Sequence, residues 1–236
     1  MSKAKVLKRI LIIFAALIAL LAIAVGFFAI RGAVMWNEAE ERSPISQTVT
    51  RMRSDENFVK YGDLPEFYIN AVISTEDRKF EKHNGVNLKS IIRAFIYDIK
   101  EMSFEQGGST ITQQLAKNLW FTQEKRVERK FAEIYAAFAL EKELSKQEIF
   151  ELYVNSIYFG SGYYGIADAA MGYFGKDVSE LSDYECAMLA GLPNAPSAYS
   201  PDTSPELARQ RLVMVLNCMK ENGVLTDSGA EEVLSQ

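Results

Sequence analysis

The chain has 236 residues, 48% of them apolar and 24% charged, which is too long for a disulfide-stapled miniprotein and too apolar for a disordered chain. The formal charge of −5 hides an asymmetry: residues 1–31 hold Lys3, Lys5, Lys8, Arg9 and Arg31 and no acid, while the remainder holds 21 Lys and Arg against 31 Asp and Glu. A folded part this acidic excludes nucleic acid as a partner, and a single His excludes a multi-histidine zinc site.

Ile10 to Ile30 is an uncharged apolar run of 21 residues. As a helix it spans about 31 Å, the thickness of a bilayer's hydrocarbon core. It is longer than the apolar region of a cleaved signal peptide, so it reads as an uncleaved anchor. The cations before it place residues 1–9 in the cytoplasm as a basic tail and the rest of the chain on the outer face of a cytoplasmic membrane. Residues 31–59 are polar and weakly patterned and read as a stalk. Residues 60–236 read as one domain.

Helix signals dominate that domain. Pro65 suits a first helical position, followed by Phe67, Ala71 and Val72. Asn84-Gly85 is a turn, and Asn87 can cap a helix carrying Ile91, Ile92, Phe95, Ile96 and Ile99 on one face. Ser109 can cap a helix whose stripe is Ile111, Leu115 and Leu119. A helix over about 123–144 has Val127, Phe131, Ile134 and Phe138 as its expected core stripe. Ser145/Glu148 and Ser182/Glu185 read as capping boxes. Ser204-Pro205 opens a further helix, and Asn222-Gly223 closes it. Cys186 and Cys218 have no metal spacing and read as small apolar residues. With no convincing alternating strands, the fold class is mainly α.

Three segments carry chemistry. Gly107-Gly108-Ser109-Thr110 lets the backbone approach a ligand where a helix begins. Beyond it, Thr110, Gln113, Gln114 and Lys117 fall within about 100° of arc, a polar patch fit for a phosphate or pyrophosphate. Lys117, Lys125, Arg126, Arg129 and Lys130 then crowd a helix start, where cations oppose the macrodipole. Glu133 lies one turn after a cation at the expected core boundary. Glu76 ends an apolar helix, a placement that raises a carboxyl pKa as acid–base work requires. Paired carboxylates suit glycosyl transfer or hydrolysis, and the cationic patch favours transfer from a donor that leaves as pyrophosphate.

At these residues the chain resembles the family 51 peptidoglycan glycosyltransferases, the transglycosylase domain of penicillin-binding proteins. Glu76-Asp77-Arg78-x-Phe80-x-x-His83-x-Gly85 is similar to the family's first motif. Gly107-Gly108-Ser109-Thr110-Ile111-Thr112-Gln113-Gln114-x-x-Lys117-Asn118 resembles the second, and Arg129-Lys130-x-x-Glu133 the third. Glu151-x-Tyr153-x-Asn155-x-Ile157-Tyr158-Phe159-Gly160 resembles the fourth. Tyr173-Phe174-Gly175-Lys176, followed by Leu189-Ala190-Gly191-Leu192-Pro193, resembles the fifth. Asn87 stands where the family has Asp. Lys125-Arg126 stands where Arg is expected first.

The resemblance implies a lysozyme-like, two-lobed helical domain behind one transmembrane helix, with a small lobe after Gly85. It implies a monofunctional bacterial enzyme of cell-wall biogenesis that polymerises lipid II into glycan strands by inverting β-1,4 transfer, releasing undecaprenyl pyrophosphate. Glu76 is then the catalytic base and Glu133 assists departure of the pyrophosphate. Asp77, Phe80, His83, Ser109, Thr110, Gln114, Lys117, Asn118, Lys125, Arg126 and Lys130 are the implied substrate-binding residues. Gly107, Gly108, Glu151, Asn155, Tyr158 and Gly160 are the implied structural support. No cofactor is certain; a divalent cation, Mg2+ or Mn2+, at the pyrophosphate stays open. The implied partners are lipid II, the growing strand, the membrane and other cell-wall synthesis proteins. A lysozyme-like hydrolase or lytic transglycosylase, and an inactive lipid II-binding scaffold, are the alternatives.

Overall fold

In the computed structural model, residues 3–87, 108–122 and 126–236 are described. Helix α1 runs unbroken over Lys3–Arg42. Its apolar part is exposed along its length, is long and apolar enough to cross a membrane, and has a mean hydropathy of 3.1 in its most apolar stretch. One helix therefore carries the chain from the apolar span into the domain.

Much of the segment 31–59, expected to form a stalk, is instead helical as far as Arg53 and packs on the domain. Gly32 is buried where α1 crosses a later helix, and a Cβ there would overlap the side chain of Phe131 and come within 2.9 Å of the Ala132 amide nitrogen. Trp36 and Ala39 are in the core, and Trp36 meets Trp120 edge-on with ring centroids 5.4 Å apart. The Trp120 indole donates to the Ser43 carbonyl at 2.7 Å. Helix α2 (Ile45–Arg53) buries Ile45, Thr48 and Val49. The helical spacing of those three residues is what a reading of the segment as polar overlooks.

The domain follows as α3 (Glu66–Glu76), α4 (Ile111–Trp120), α5 (Val127–Glu143), α6 (Lys146–Ser156), strands β1 (Tyr158–Gly160) and β2 (Tyr163–Tyr164), α7 (Ile166–Phe174), α8 (Asp183–Gly191), α9 (Pro196–Tyr199), α10 (Pro205–Glu221) and α11 (Asp227–Leu234). The mainly helical class holds. The exception is the short antiparallel β1–β2 hairpin, where Ser161 and Gly162 take positive φ in the turn. Helix α6 is the centre of the core. It buries Ile149, Phe150, Leu152, Tyr153 and Val154 on all sides, as expected of a helix with no solvent face of its own. Helices α4 and α5 pack with it on one side, and α3, α8 and α10 pack among themselves.

The Ser145/Glu148 and Ser182/Glu185 capping boxes form as read. Helix α4 differs: its N-cap is Thr110, not Ser109, in a capping box with Gln113. Helix α5 differs more. Val127 and Phe138 are exposed, and the buried stripe is Ala132, Glu133, Ala136, Ala137 and Leu140. The small residues let neighbouring backbones approach closely; Gly85, at φ +86°, sits against the Ala137 carbonyl. The large apolar residues face α1 and the outside instead. The helix expected on Ile91 to Ile99, the small lobe it belongs to, and Gly107 and Lys125 lie outside the described residues.

Candidate active site

Helix α3 delivers Glu76 at its last turn, with the side chain only 11% exposed. Its Oε2 accepts a hydrogen bond from Gln114 Nε2 of α4 at 2.8 Å. On the Oε1 side, Arg211 Nη2 of α10 lies 3.9 Å away. Arg211 is itself held by a bond to the Gly191 carbonyl at 3.1 Å and lies over the Tyr199 ring. Burial pushes the Glu76 carboxyl up from its ordinary value, Asp77 adds to this, and Gln114, Arg211 and Lys117 pull it part of the way back. A raised carboxyl is the direction of shift that makes its ionised form a stronger base.

The second carboxylate, Glu133, is on the buried face of α5, not at the core's edge as expected; its side chain is 3% exposed. Its Oε2 accepts from Lys130 Nζ at 2.9 Å, and the same ammonium donates to Ser109 Oγ at 2.7 Å. Arg129 Nε approaches Oε1 at 3.4 Å, and both of these buried atoms lack a hydrogen-bond partner. Arg129 also donates to the Thr122 carbonyl at 2.9 Å. Lys117 is pushed down from its ordinary value by burial and by Arg129 and Lys130, and pulled up by Glu133 and Glu76. Among the described residues, Lys117, Arg129 and Lys130 thus gather about Glu133, and Lys117 also feels Glu76, which leaves more cations than carboxylates here.

The other predicted residues divide. Gln114, Lys117 and Asn118 share one partly exposed face of α4. Arg126 caps α5 and is exposed, and Gly108 is partly exposed ahead of α4. Asp77, Phe80, His83 and Thr110, expected to bind substrate, are buried, or nearly so for His83, in the wall behind the site. Asp77 Oδ2 accepts from the Ile111 amide at 3.2 Å and pairs with His83 Nε2 at 2.7 Å. The Gly85 amide donates to His83 Nδ1 at 3.1 Å, which leaves Nε2 as the nitrogen that faces Asp77. Thr110 Oγ1 donates to the Gly85 carbonyl at 2.6 Å. Phe80 is 1% exposed. Asp77 and His83 bond each other, Thr110 bonds the backbone, and all four side chains are almost fully enclosed.

Glu151 and Asn155 hold the chain entering the domain. Glu151 takes Arg53 and the Tyr61 amide, and Asn155 pairs with both backbone groups of Val59. Tyr158 packs against Tyr164 with the rings tilted by 36° and their centroids 4.8 Å apart. Gly160, at φ +92°, passes so close to the Pro196 carbonyl that a Cβ would lie 2.6 Å from its oxygen. Sequence reasoning missed Arg211, and gave Arg129 no role of its own. The adjacency of Arg129 to Lys130 was a usable signal. Nothing local distinguishes Arg211 from the exposed Arg209.

The fold and site define a mainly helical domain with paired buried carboxylates and a cationic cluster, attached to an apolar helix fit to cross a membrane. The transglycosylase family profile matches residues 41–220, and the chain belongs to that family. The class of activity that goes with the family is peptidoglycan glycosyl transfer. A Cupriavidus necator protein described as a transglycosylase is 41% identical over 211 residues, which cover 89% of this chain and 91% of that one. Penicillin-binding proteins 1A of Neisseria lactamica and Aquifex aeolicus are 47% and 48% identical over 179 residues, 76% of this chain. The match covers 22% and 25% of those two proteins, so the chain aligns with about a quarter of their length or less. The crystal structure of penicillin-binding protein 1A from Haemophilus influenzae superposes with a TM-score of 0.46 at 26% identity, covering 76% of this chain and 17% of that one.

Proposed function

We propose that the protein polymerises lipid II into glycan strands at the outer face of the inner membrane, with residues 1–9 in the cytoplasm. The observation that carries this reading is the pairing of a desolvated carboxylate, Glu76, with a second carboxylate, Glu133, crowded by Lys117, Arg129 and Lys130. Glu76 takes the proton from the acceptor's 4-hydroxyl. That oxygen forms a bond to the donor's anomeric carbon, and the carbon–oxygen bond to pyrophosphate breaks with its electron pair going to the pyrophosphate. A single displacement inverts the anomeric carbon and leaves a β-1,4 link. The cations meet the charge that develops on the leaving group, where preorganised donors act most strongly. A neutral leaving group would give them nothing to do, which separates this reading from hydrolysis of a glycan.

Among the described residues, the side chains do not by themselves form a divalent-cation site. Glu133 is one carboxylate among three cations, and the described residues contain no cluster of three or more His, Cys, Asp or Glu able to hold a metal.

Incubating the full chain in detergent with labelled lipid II tests the reading. Polymer with release of undecaprenyl pyrophosphate is the expected result. Cleavage of preformed glycan without polymer would assign a lytic enzyme, and lipid II binding without turnover would assign a scaffold.

A further inference from the structure

The hydrogen bond from Gln114 to Glu76 has a second end. A carboxylate only accepts hydrogen bonds, so the amide atom facing Glu76 is Nε2 and the amide oxygen turns away. That oxygen accepts from the hydroxyl of Tyr153 at 3.3 Å. Tyr153 is on the central helix α6, is 0% exposed, and among the described residues has Gln114 Oε1 as its hydroxyl's hydrogen-bond partner.

We propose that Tyr153 is a positioning residue for Glu76, acting through Gln114: its buried hydroxyl holds the amide with the NH2 group toward the carboxylate. The reason is a choice between two orientations. With the NH2 toward Glu76, a chain runs from the Tyr153 O–H to the Gln114 oxygen and from the Gln114 N–H to an ionised Glu76. With the amide reversed, its oxygen faces Glu76 and is tolerated only when that carboxyl is protonated. The tyrosine oxygen would then accept from Nε2, and its own hydrogen would lose its acceptor in a buried place, where unpaired donors are disfavoured. Tyr153 thereby couples the orientation of one amide to the protonation state of Glu76 and favours the form a base needs. Its ring packs against Phe150 in the core, which explains an aromatic here; the ring does not explain the hydroxyl.

This inference rests on reading Glu76 as the base. The test is Tyr153→Phe in the full chain, which keeps the ring and removes one oxygen. Two quantities are read: the pH–rate profile for lipid II polymerisation, and the titration of the Glu76 carboxyl by 13C NMR, its signal assigned by loss in Glu76→Gln. The expected result is a rise of about one pH unit in both the acid limb and the titration, with turnover about ten-fold lower on the acid side. KM and the alkaline plateau should stay within about two-fold. In a Gln114→Ala background the same substitution should change little, because the relay is already cut. An unmoved titration in folded Tyr153→Phe would overturn the proposal, as would an equal shift in the Gln114→Ala background. Should Tyr153→Phe not fold, 3-fluorotyrosine at position 153 keeps the hydroxyl and makes it a stronger donor. It should lower the Glu76 titration, and no change would refute the relay. Should Glu76→Gln polymerise lipid II normally, the base assignment fails, while the NMR titration still decides the relay.

Discussion

Asp77 and Glu133 are equally hidden carboxylates, each with a side chain 3% exposed, yet their surroundings are opposite. Asp77 closes a finished set of bonds with His83 and Ile111, next to the Thr110–Gly85 bond. Glu133 is unfinished: one oxygen lacks a hydrogen bond and the cations around it outnumber it. Burial alone therefore does not mark a functional carboxylate. A satisfied polar cluster holds the fold together, whereas an excess of charge with unmatched atoms points to a ligand that completes it. Glu76 is intermediate, held by Gln114 on one oxygen while Arg211 stands off the other.

The largest effect should come from Glu76. Glu76→Gln keeps the shape and removes the base, and polymer formation should fall by about 10²–10⁴-fold. The raised carboxyl carries a second consequence. A folded-state value above the unfolded one means that ionising Glu76 costs stability, and the cost grows as pH rises through the folded value. The variant should thus melt no lower than wild type at neutral pH. A variant that polymerises normally, or loses activity only by unfolding, would remove Glu76 from the chemistry.

Lys130 comes next. Lys130→Ala removes the ammonium shared by Glu133 and Ser109, and turnover should fall by about 10²-fold, with lipid II binding weakened much less. Lys130→Arg should recover only part, because a guanidinium fork differs in reach from an ammonium. Equal losses in binding and turnover would mean that the cation holds the ground state only.

How far these contrasts could be read in the sequence follows from their range. The apolar span, the Ser145 and Ser182 capping boxes and the helix over Pro205–Glu221 are local patterns, and all appear in the fold. The face of α5 was misread because that helix has two apolar sides. Residue size favoured Val127 and Phe138, while packing chose the small alanines. Asp77 and His83 were legible as a motif but not as a closed pair, since their partners Ile111 and Gly85 are fixed only by the tertiary fold. Arg211 reaches Glu76 across 135 positions of sequence, and no local pattern announces such a contact.

For Asp77 the expected effect moves from turnover to stability. Asp77→Asn weakens a buried charged acceptor that serves two donors, at a cost of about 1–3 kcal/mol. Thermal melting should show the loss, and turnover per folded molecule should fall less than about ten-fold. A turnover loss as deep as that of Glu76→Gln, without a change in melting, would mean that Asp77 meets the substrate.

The smallest expected shift in stability is at Lys117, and its sign is the most telling. Burial, with Arg129 and Lys130 beside it, holds the ammonium below its ordinary value despite Glu133 and Glu76. The folded chain therefore binds that proton less tightly than the unfolded one. A charged Lys117 costs stability at every pH below its folded value, and the cost fades as pH rises through it toward the unfolded value. Lys117→Met should raise stability at neutral pH by roughly 0.5 kcal/mol, with the gain shrinking in alkaline solution, while polymerisation collapses. Melting curves at neutral and alkaline pH, read beside polymer formation, check both halves. A destabilised variant would make Lys117 a structural partner of the two glutamates. A stabilised but inactive one would show a cation kept at the fold's expense for the charge that arrives with the substrate.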